Sequence, residues 1–244
     1  MKKRLDVACV ERGLFDTREK ALRAIMAGQV AVNGRPAEKA GQAVREDDAV
    51  ALLAPACPYV SRGGLKLKGA LDAFGVPVKG RTCLDIGVAT GGFTDCFLQE
   101  GAARVYAVDV GAGQLHEKIK NDPRVTFMPD TNARFLEPAN FPVKPTLCAI
   151  DVSFISLKLI LPPVFSALAP GGEVIALVKP QFELQARDLR KGIVKDEETR
   201  LGVMKDLRAW LAAGLPGVAE KGLMDSTVKG AHGNLEFLWR LARG

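Results

Sequence analysis

The chain has 244 residues, 48% of them apolar and 25% charged, with a net charge of +6. That length suits one α/β domain of about 150–200 residues plus a small module. No apolar run approaches the roughly 20 residues of a membrane-spanning helix. The charged start Met1-Lys2-Lys3-Arg4-Leu5-Asp6 is not followed by the apolar stretch of a signal peptide. Cys9, Cys57, Cys83, Cys96 and Cys148 lack CxxC spacing, and His116 and His232 lie in no ligand pattern. A cytoplasmic protein with reduced thiols, no metal and no membrane partner is expected.

The positive charge is local. Residues 1–35 hold eight Lys/Arg against four acids, whereas residues 36–58 hold two against four. Leu5, Ala8, Val10 and Leu14 predict a first short helix, ended by Gly13. Asp16-Thr17-Arg18-Glu19 is an N-cap signal, and Ala21, Leu22, Ile25 and Met26 follow at helical spacing until Gly28. Val30-Ala31-Val32 enters an Asn33-Gly34 turn, a hairpin signal, and residues 49–53 supply another short strand. Together, Arg4-Leu5-Asp6, Arg18-Glu19-Lys20-Ala21 and Ile25 to Gly34 resemble the RNA-binding S-four domain of a small-subunit ribosomal protein. The resemblance implies an α+β module over 1–53 whose Arg4, Arg18, Lys20, Arg23 and Arg35 meet RNA phosphates, with Arg62 added to that set.

Residues 54–60, with Pro55 and Pro58, read as a linker. Leu65, Leu67, Ala70, Leu71 and Phe74 predict a helix ended by Gly75. From there strands are expected at 82–87, 104–109, 124–128, 146–151 and 173–179. Helices are expected at 92–100, 112–120, 155–168 and 197–213, and two last strands near 218–227 and 235–242. The alternation predicts an α/β unit with a doubly wound parallel sheet over 61–244.

Asp85-Ile86-Gly87 through Gly91-Gly92 is a Gly-rich turn between a strand and a helix, and Asp109 ends the next strand. Such a unit takes a nucleoside: glycines admit the ligand to the backbone and the second carboxylate takes ribose hydroxyls. Ala89 stands where a dinucleotide fingerprint needs its second glycine, and Phe93 stands where a triphosphate loop needs lysine. The form resembles the Rossmann-like methyltransferases that use S-adenosylmethionine. The resemblance places Asp85 and the Gly87, Thr90, Gly91, Gly92, Phe93 turn at the methionine portion. It places Asp109 at the ribose, and Asp130 and Asn132 near the adenine. Val88-Ala89 departs from the small polar residues of many relatives.

Asp151 and Lys179 each end a strand, Glu236 begins the last one, and Lys66 lies on the helix before the first. A ribose hydroxyl needs a base as its oxygen attacks a methyl group. Lysine starts near 10.4; a second cation and burial lower that value, while carboxylates raise it and orient the amine. Lys-Asp-Lys-Glu resembles the tetrad of the FtsJ-like 2′-O-ribose methyltransferases. Tyr59-Val60-Ser61-Arg62-Gly63-Gly64, Asp151-Val152-Ser153-Phe154, Lys179-Pro180-Gln181-Phe182-Glu183 and Gly230 to Glu236 extend the resemblance to the TlyA family. It implies an S-adenosylmethionine-dependent enzyme that methylates cytidine riboses in 16S or 23S ribosomal RNA, free or in a subunit. Lys68 competes with Lys66 for the first position. Some members of that family bear the name haemolysin, so a membrane-active cytolysin is the rival class. A non-catalytic RNA-binding assembly factor is the third reading.

Overall fold

The computed structural model describes residues 2–26, 28–37, 39–53, 57–112, 114–184, 194, 196–230 and 233–243. The chain divides into two units, Met1–Pro58 and Tyr59–Gly244.

The first unit runs β1 (Lys3–Arg4), α1 (Leu5–Glu11), α2 (Arg18–Met26), β2 (Val30–Val32), β3 (Arg35–Pro36), β4 (Ala43–Val44) and β5 (Val50–Leu52). Asn33 and Gly34 both take positive φ, 52° and 77°. That is the primed turn whose twist matches an antiparallel hairpin, and it joins β2 to β3. β5 pairs with the other edge of β2, and β1 pairs with β4. Leu5, Ala8, Cys9, Ala21, Ile25 and Val30 form the core. Val10 and Leu14, expected on the apolar stripe, only pack against it, and Cys9 takes the fully buried place.

The second unit runs α3 (Gly63–Phe74), β6 (Thr82–Ile86), α4 (Gly92–Gln99), β7 (Arg104–Val108), α5 (Glu117–Lys120), β8 (Val125–Met128), β9 (Leu147–Ile150), α6 (Leu157–Ala167), β10 (Glu173–Val178), α7 (Pro180–Glu183), α8 (Glu197–Gly214), β11 (Val218–Asp225) and β12 (Phe237–Arg243). Seven strands form one sheet in the order β11-β12-β10-β9-β6-β7-β8. All neighbours are parallel except β12, which runs against both β10 and β11. The strand order reverses between β6 and β9, so a crevice opens beyond the carboxyl ends of those strands. Ile86 pairs with both Val108 and Ile150, and Val178 pairs with Phe237. The residues just past Ile86, Val108, Ile150 and Val178, and just before Phe237, therefore share one edge of the sheet.

The helix expected over 112–120 is a single turn at Glu117–Lys120, capped by the His116 ring. Asp109 accepts the Gly111 N–H at 2.8 Å, an Asx turn that bends the chain there instead of starting a helix. Of the expected linker, residues 54–56 lie outside the described residues. Tyr59 and Val60 belong to the second unit. The buried Tyr59 ring covers Gly64, where any Cβ would overlap it. Val60 donates its N–H to Asp95 at 2.8 Å.

Candidate active site

After Ile86 the backbone turns through Gly87 (φ 85°), Ala89 (φ 47°) and Gly91 (φ 97°) before α4 begins at Gly92. A Cβ on Gly87 would overlap the Asp151 carbonyl oxygen, and one on Gly92 would overlap the Ser61 hydroxyl. Glycine is what lets three segments meet at this turn. Ala89 occupies the left-handed region without that freedom. Its N–H donates to Asp109 Oδ2 at 2.7 Å, which offsets part of the strain. Asp109 thus accepts one backbone N–H on each oxygen, and each oxygen keeps a lone pair for a further donor.

Two hollows flank the turn. One, of about 370 Å³, is lined by Asp109, Thr131, Asn132 and Phe154, among others. The other, of about 180 Å³, is lined by Ser61, Thr90, Gly92, Phe93 and Lys179, among others. Gly87, Ala89, Asp151 and Ser153 line both and mark where they meet. The larger volume lies within the range of small-molecule sites.

Lys66 on α3 and Glu236, just before β12, join in a hydrogen-bonded ion pair of 2.5 Å, both nearly buried. The Gly230 backbone packs on the Glu236 carboxylate so closely that a Cβ there would overlap it. Lys68 instead faces outward, paired with Asp72 at 2.7 Å and Glu100 at 3.2 Å. The helix register therefore sets Lys66, and not Lys68, against Glu236. Lys179 lies 2.6 Å from Asp151 Oδ1 and donates a hydrogen bond to Ser153 Oγ at 2.9 Å. The four tetrad residues thus stand as two pairs.

Three residues expected at the cofactor do not line either hollow. Asp85 lies wholly buried beneath the turn, because its strand is covered on both faces. Its Oδ2 accepts the Thr94 hydroxyl at 2.6 Å, and its Oδ1 has no hydrogen-bond partner among the described residues. Burial pushes its carboxyl up to about 7, aided by the charges of Asp151 and Asp109 and opposed by Thr94. Gly91 packs against Leu115 and Ile119 instead. Asp130 is exposed at φ 50°, and Thr131 and Asn132 take the lining places.

Sequence reasoning assigned no role to Ser61, Ser153, Phe154, Phe182 or Glu183, although all lay in the motifs quoted. Phe154 sits at φ 63°, 90% exposed, with its ring 4.8 Å from that of Phe182. Glu183 accepts the Ser156 hydroxyl at 2.5 Å and the Leu157 N–H at 2.7 Å.

In the first unit, Arg4 and Arg18 both reach the buried Asp6, at 3.0 and 2.9 Å. The hydrogen bonds from these guanidiniums hold its carboxyl well below the usual range despite burial. Lys20 pairs with Asp16 at 2.6 Å. Arg23 and Arg35 are exposed. Arg4, Arg35 and Lys39 border an open hollow of about 800 Å³. Arg62 is exposed at the start of α3, in the second unit. Among the described residues no His/Cys/Asp/Glu cluster fits a metal ion, and no helix is long and apolar enough to cross a membrane.

Residues 59–243 match the FtsJ-like methyltransferase family and residues 3–50 the S4 domain. The Mycobacterium tuberculosis protein named 16S/23S rRNA (cytidine-2′-O)-methyltransferase TlyA is 41% identical over 97% of this chain and 88% of its own length. YqxC of Bacillus subtilis, whose name assigns it provisionally to the rRNA methyltransferases, is 49% identical over 98% of this chain and 85% of its own. The solved structure of a Streptococcus thermophilus protein, provisionally named a hemolysin, is similar at a TM-score of 0.78 and 44% identity, covering 99% of this chain and 88% of that one. Solved S-adenosylmethionine-dependent and O-methyltransferases of 15% and 14% identity share the fold at TM-scores of 0.54 and 0.51. The chain belongs to the FtsJ-like methyltransferases, in the TlyA group that carries an S4 domain ahead of the methyltransferase unit.

Proposed function

We propose that the protein methylates a ribose 2′-hydroxyl of ribosomal RNA, at a cytidine of 16S or 23S rRNA, in the cytoplasm. The observation that carries the reading is the Lys179–Asp151 pair, set where a nucleoside-sized hollow meets a second one. The residues present fit S-adenosylmethionine. Asp109 keeps free lone pairs for ribose hydroxyls, Thr131 and Asn132 border the adenine end, and Ser61, Thr90, Gly92 and Phe93 border the methionine end. When bound, that cofactor supplies an electrophilic methyl carbon.

A ribose hydroxyl loses its proton only far above pH 7, so the attacking oxygen needs help. Lys179 orients the hydroxyl and, as the neutral amine left once its own proton has passed to solvent, takes the hydroxyl proton on its lone pair and returns to the ammonium form. Asp151 supplies the counter-charge that keeps the amine at the junction. Lys66 and Glu236 tie α3 to the start of β12 and fix the wall behind. The exposed arginines of the first unit supply RNA affinity through phosphates.

The test is transfer of labelled methyl from S-adenosylmethionine to ribosomal subunits and to free rRNA, with the site mapped in cells with and without the protein. A ribose methyl that depends on the protein supports the reading. Tight RNA binding with no transfer to any of these substrates overturns it in favour of an assembly factor. Liposome leakage by the pure protein without cofactor overturns it in favour of a cytolysin.

A further inference from the structure

We propose that Ser153 is a positioning residue for Lys179, an inference that rests on Lys179 being the group that handles the ribose proton. Asp151 Oδ1 lies 2.6 Å from Nζ but off the line of an aligned hydrogen bond. It supplies charge without direction. The directional contact is the 2.9 Å hydrogen bond that Nζ donates to Ser153 Oγ. The Phe182 ring, its centroid 5.9 Å from Nζ, covers another side. An amine held by charge alone still spins about its Cε–Nζ bond. One N–H fixed on Ser153 stops that rotation, so the remaining positions on nitrogen hold a constant direction. Fixed direction is the gain that separates a near-attack arrangement from mere proximity.

The position of the Ser153 hydroxyl is itself determined by the fold. Ser153 lines both hollows and follows Asp151 by two residues. The next residue, Phe154, holds a left-handed backbone, a strained state for a bulky side chain. Two further contacts hold this loop to the segment that carries Lys179. The Phe154 and Phe182 rings lie 4.8 Å apart, and Glu183 accepts from Ser156 and from the Leu157 N–H. The hydroxyl and the amine are therefore carried on two segments clamped to one another.

Ser153 is exposed, so its truncation leaves the core intact. The experiment compares Ser153→Ala, Ser153→Thr and Lys179→Ala in the full chain. The readouts are single-turnover methyl transfer to unmodified ribosomal subunits, the KM for those subunits, and S-adenosylmethionine affinity by calorimetry. Ser153→Ala is expected to slow transfer by roughly 10- to 100-fold, the loss of one charge-assisted hydrogen bond. KM and cofactor affinity stay within about two-fold, and Ser153→Thr, which keeps the acceptor oxygen, restores most of the rate. Ser153→Ala at full rate beside an inactive Lys179→Ala overturns this proposal alone. So does a loss confined to KM or cofactor affinity, or a Thr variant as slow as Ala. Full activity of Lys179→Ala overturns the underlying reading, and the proposal with it.

Discussion

Lys66 and Glu236 meet inside the protein, their side chains 11% and 2% exposed, across 170 residues of chain. Lys179 and Asp151 meet on the wall of the crevice, where their side chains are 13% and 23% exposed. The residue types and contact lengths are nearly the same, and the surroundings are not. In the buried pair each charge depends on the other, because neither has water to turn to. In the crevice pair the carboxylate is loosely aligned, a serine shares the amine, and both residues line the smaller hollow. The first arrangement resists change; the second presents an amine to whatever enters. The lysines are almost equally buried, and it is the exposure of the carboxylate, 2% for Glu236 against 23% for Asp151, that separates the two pairs.

The sharpest way to break this contrast is Lys179→Ala. Methyl transfer should fall by about 10³-fold or more. Cofactor affinity by calorimetry and the thermal midpoint should stay near those of the parent. Next comes Glu236→Ala, which strands the Lys66 charge in the interior. Denaturant unfolding should register a loss of about 3 kcal/mol, against a smaller loss for Asp151→Ala, whose carboxylate is the more exposed of the two. Equal losses would erase the distinction. Gly230→Ala tests the wall of the buried pair, since its Cβ would displace the Glu236 carboxylate. It should cost about 2 kcal/mol, as overpacking does.

The smallest effect concerns Asp85, whose carboxyl feels the charge of Asp151 in the crevice pair. Its folded value, about 7, lies above the ordinary carboxylate value. The stability it contributes is therefore complete below the unfolded value and is lost as pH rises through 7. Between pH 6 and 8 that loss is on the order of 1 kcal/mol. Unfolding curves of Asp85→Asn should lack this slope, while Glu236→Gln should retain it.

Much of the frame was legible before any coordinates. Alternating apolar runs and glycines located the sheet strands, and Asp109, Asp151, Lys179 and Glu236 do stand at one edge of that sheet. Which lysine takes which carboxylate was not legible. That choice follows from β12 running antiparallel and starting near α3, a relation between residues far apart in sequence. Asp85 read as ligand-facing because β6 is buried on both faces, and such a strand gives no alternation to separate inside from outside. Arg4 and Arg18 read as free cations because a buried Asp6 between them looks like any other acid in the sequence. The two-residue strands β1, β3 and β4 are too short to leave a pattern.

The reversed final strand also gives the molecule a built-in order of completion. A chain emerging from synthesis can form β6, β7, β9 and β10, and with them the turn, Asp109, Asp151 and Lys179. At that stage Lys66 has no counter-charge, and the edge of β10 that β12 will cover is bare. Only when β12 is laid down does Glu236 arrive to seal both. A nascent chain lacking the last strand therefore carries Asp109, Asp151 and Lys179 without the ion pair that ties α3 to the start of β12.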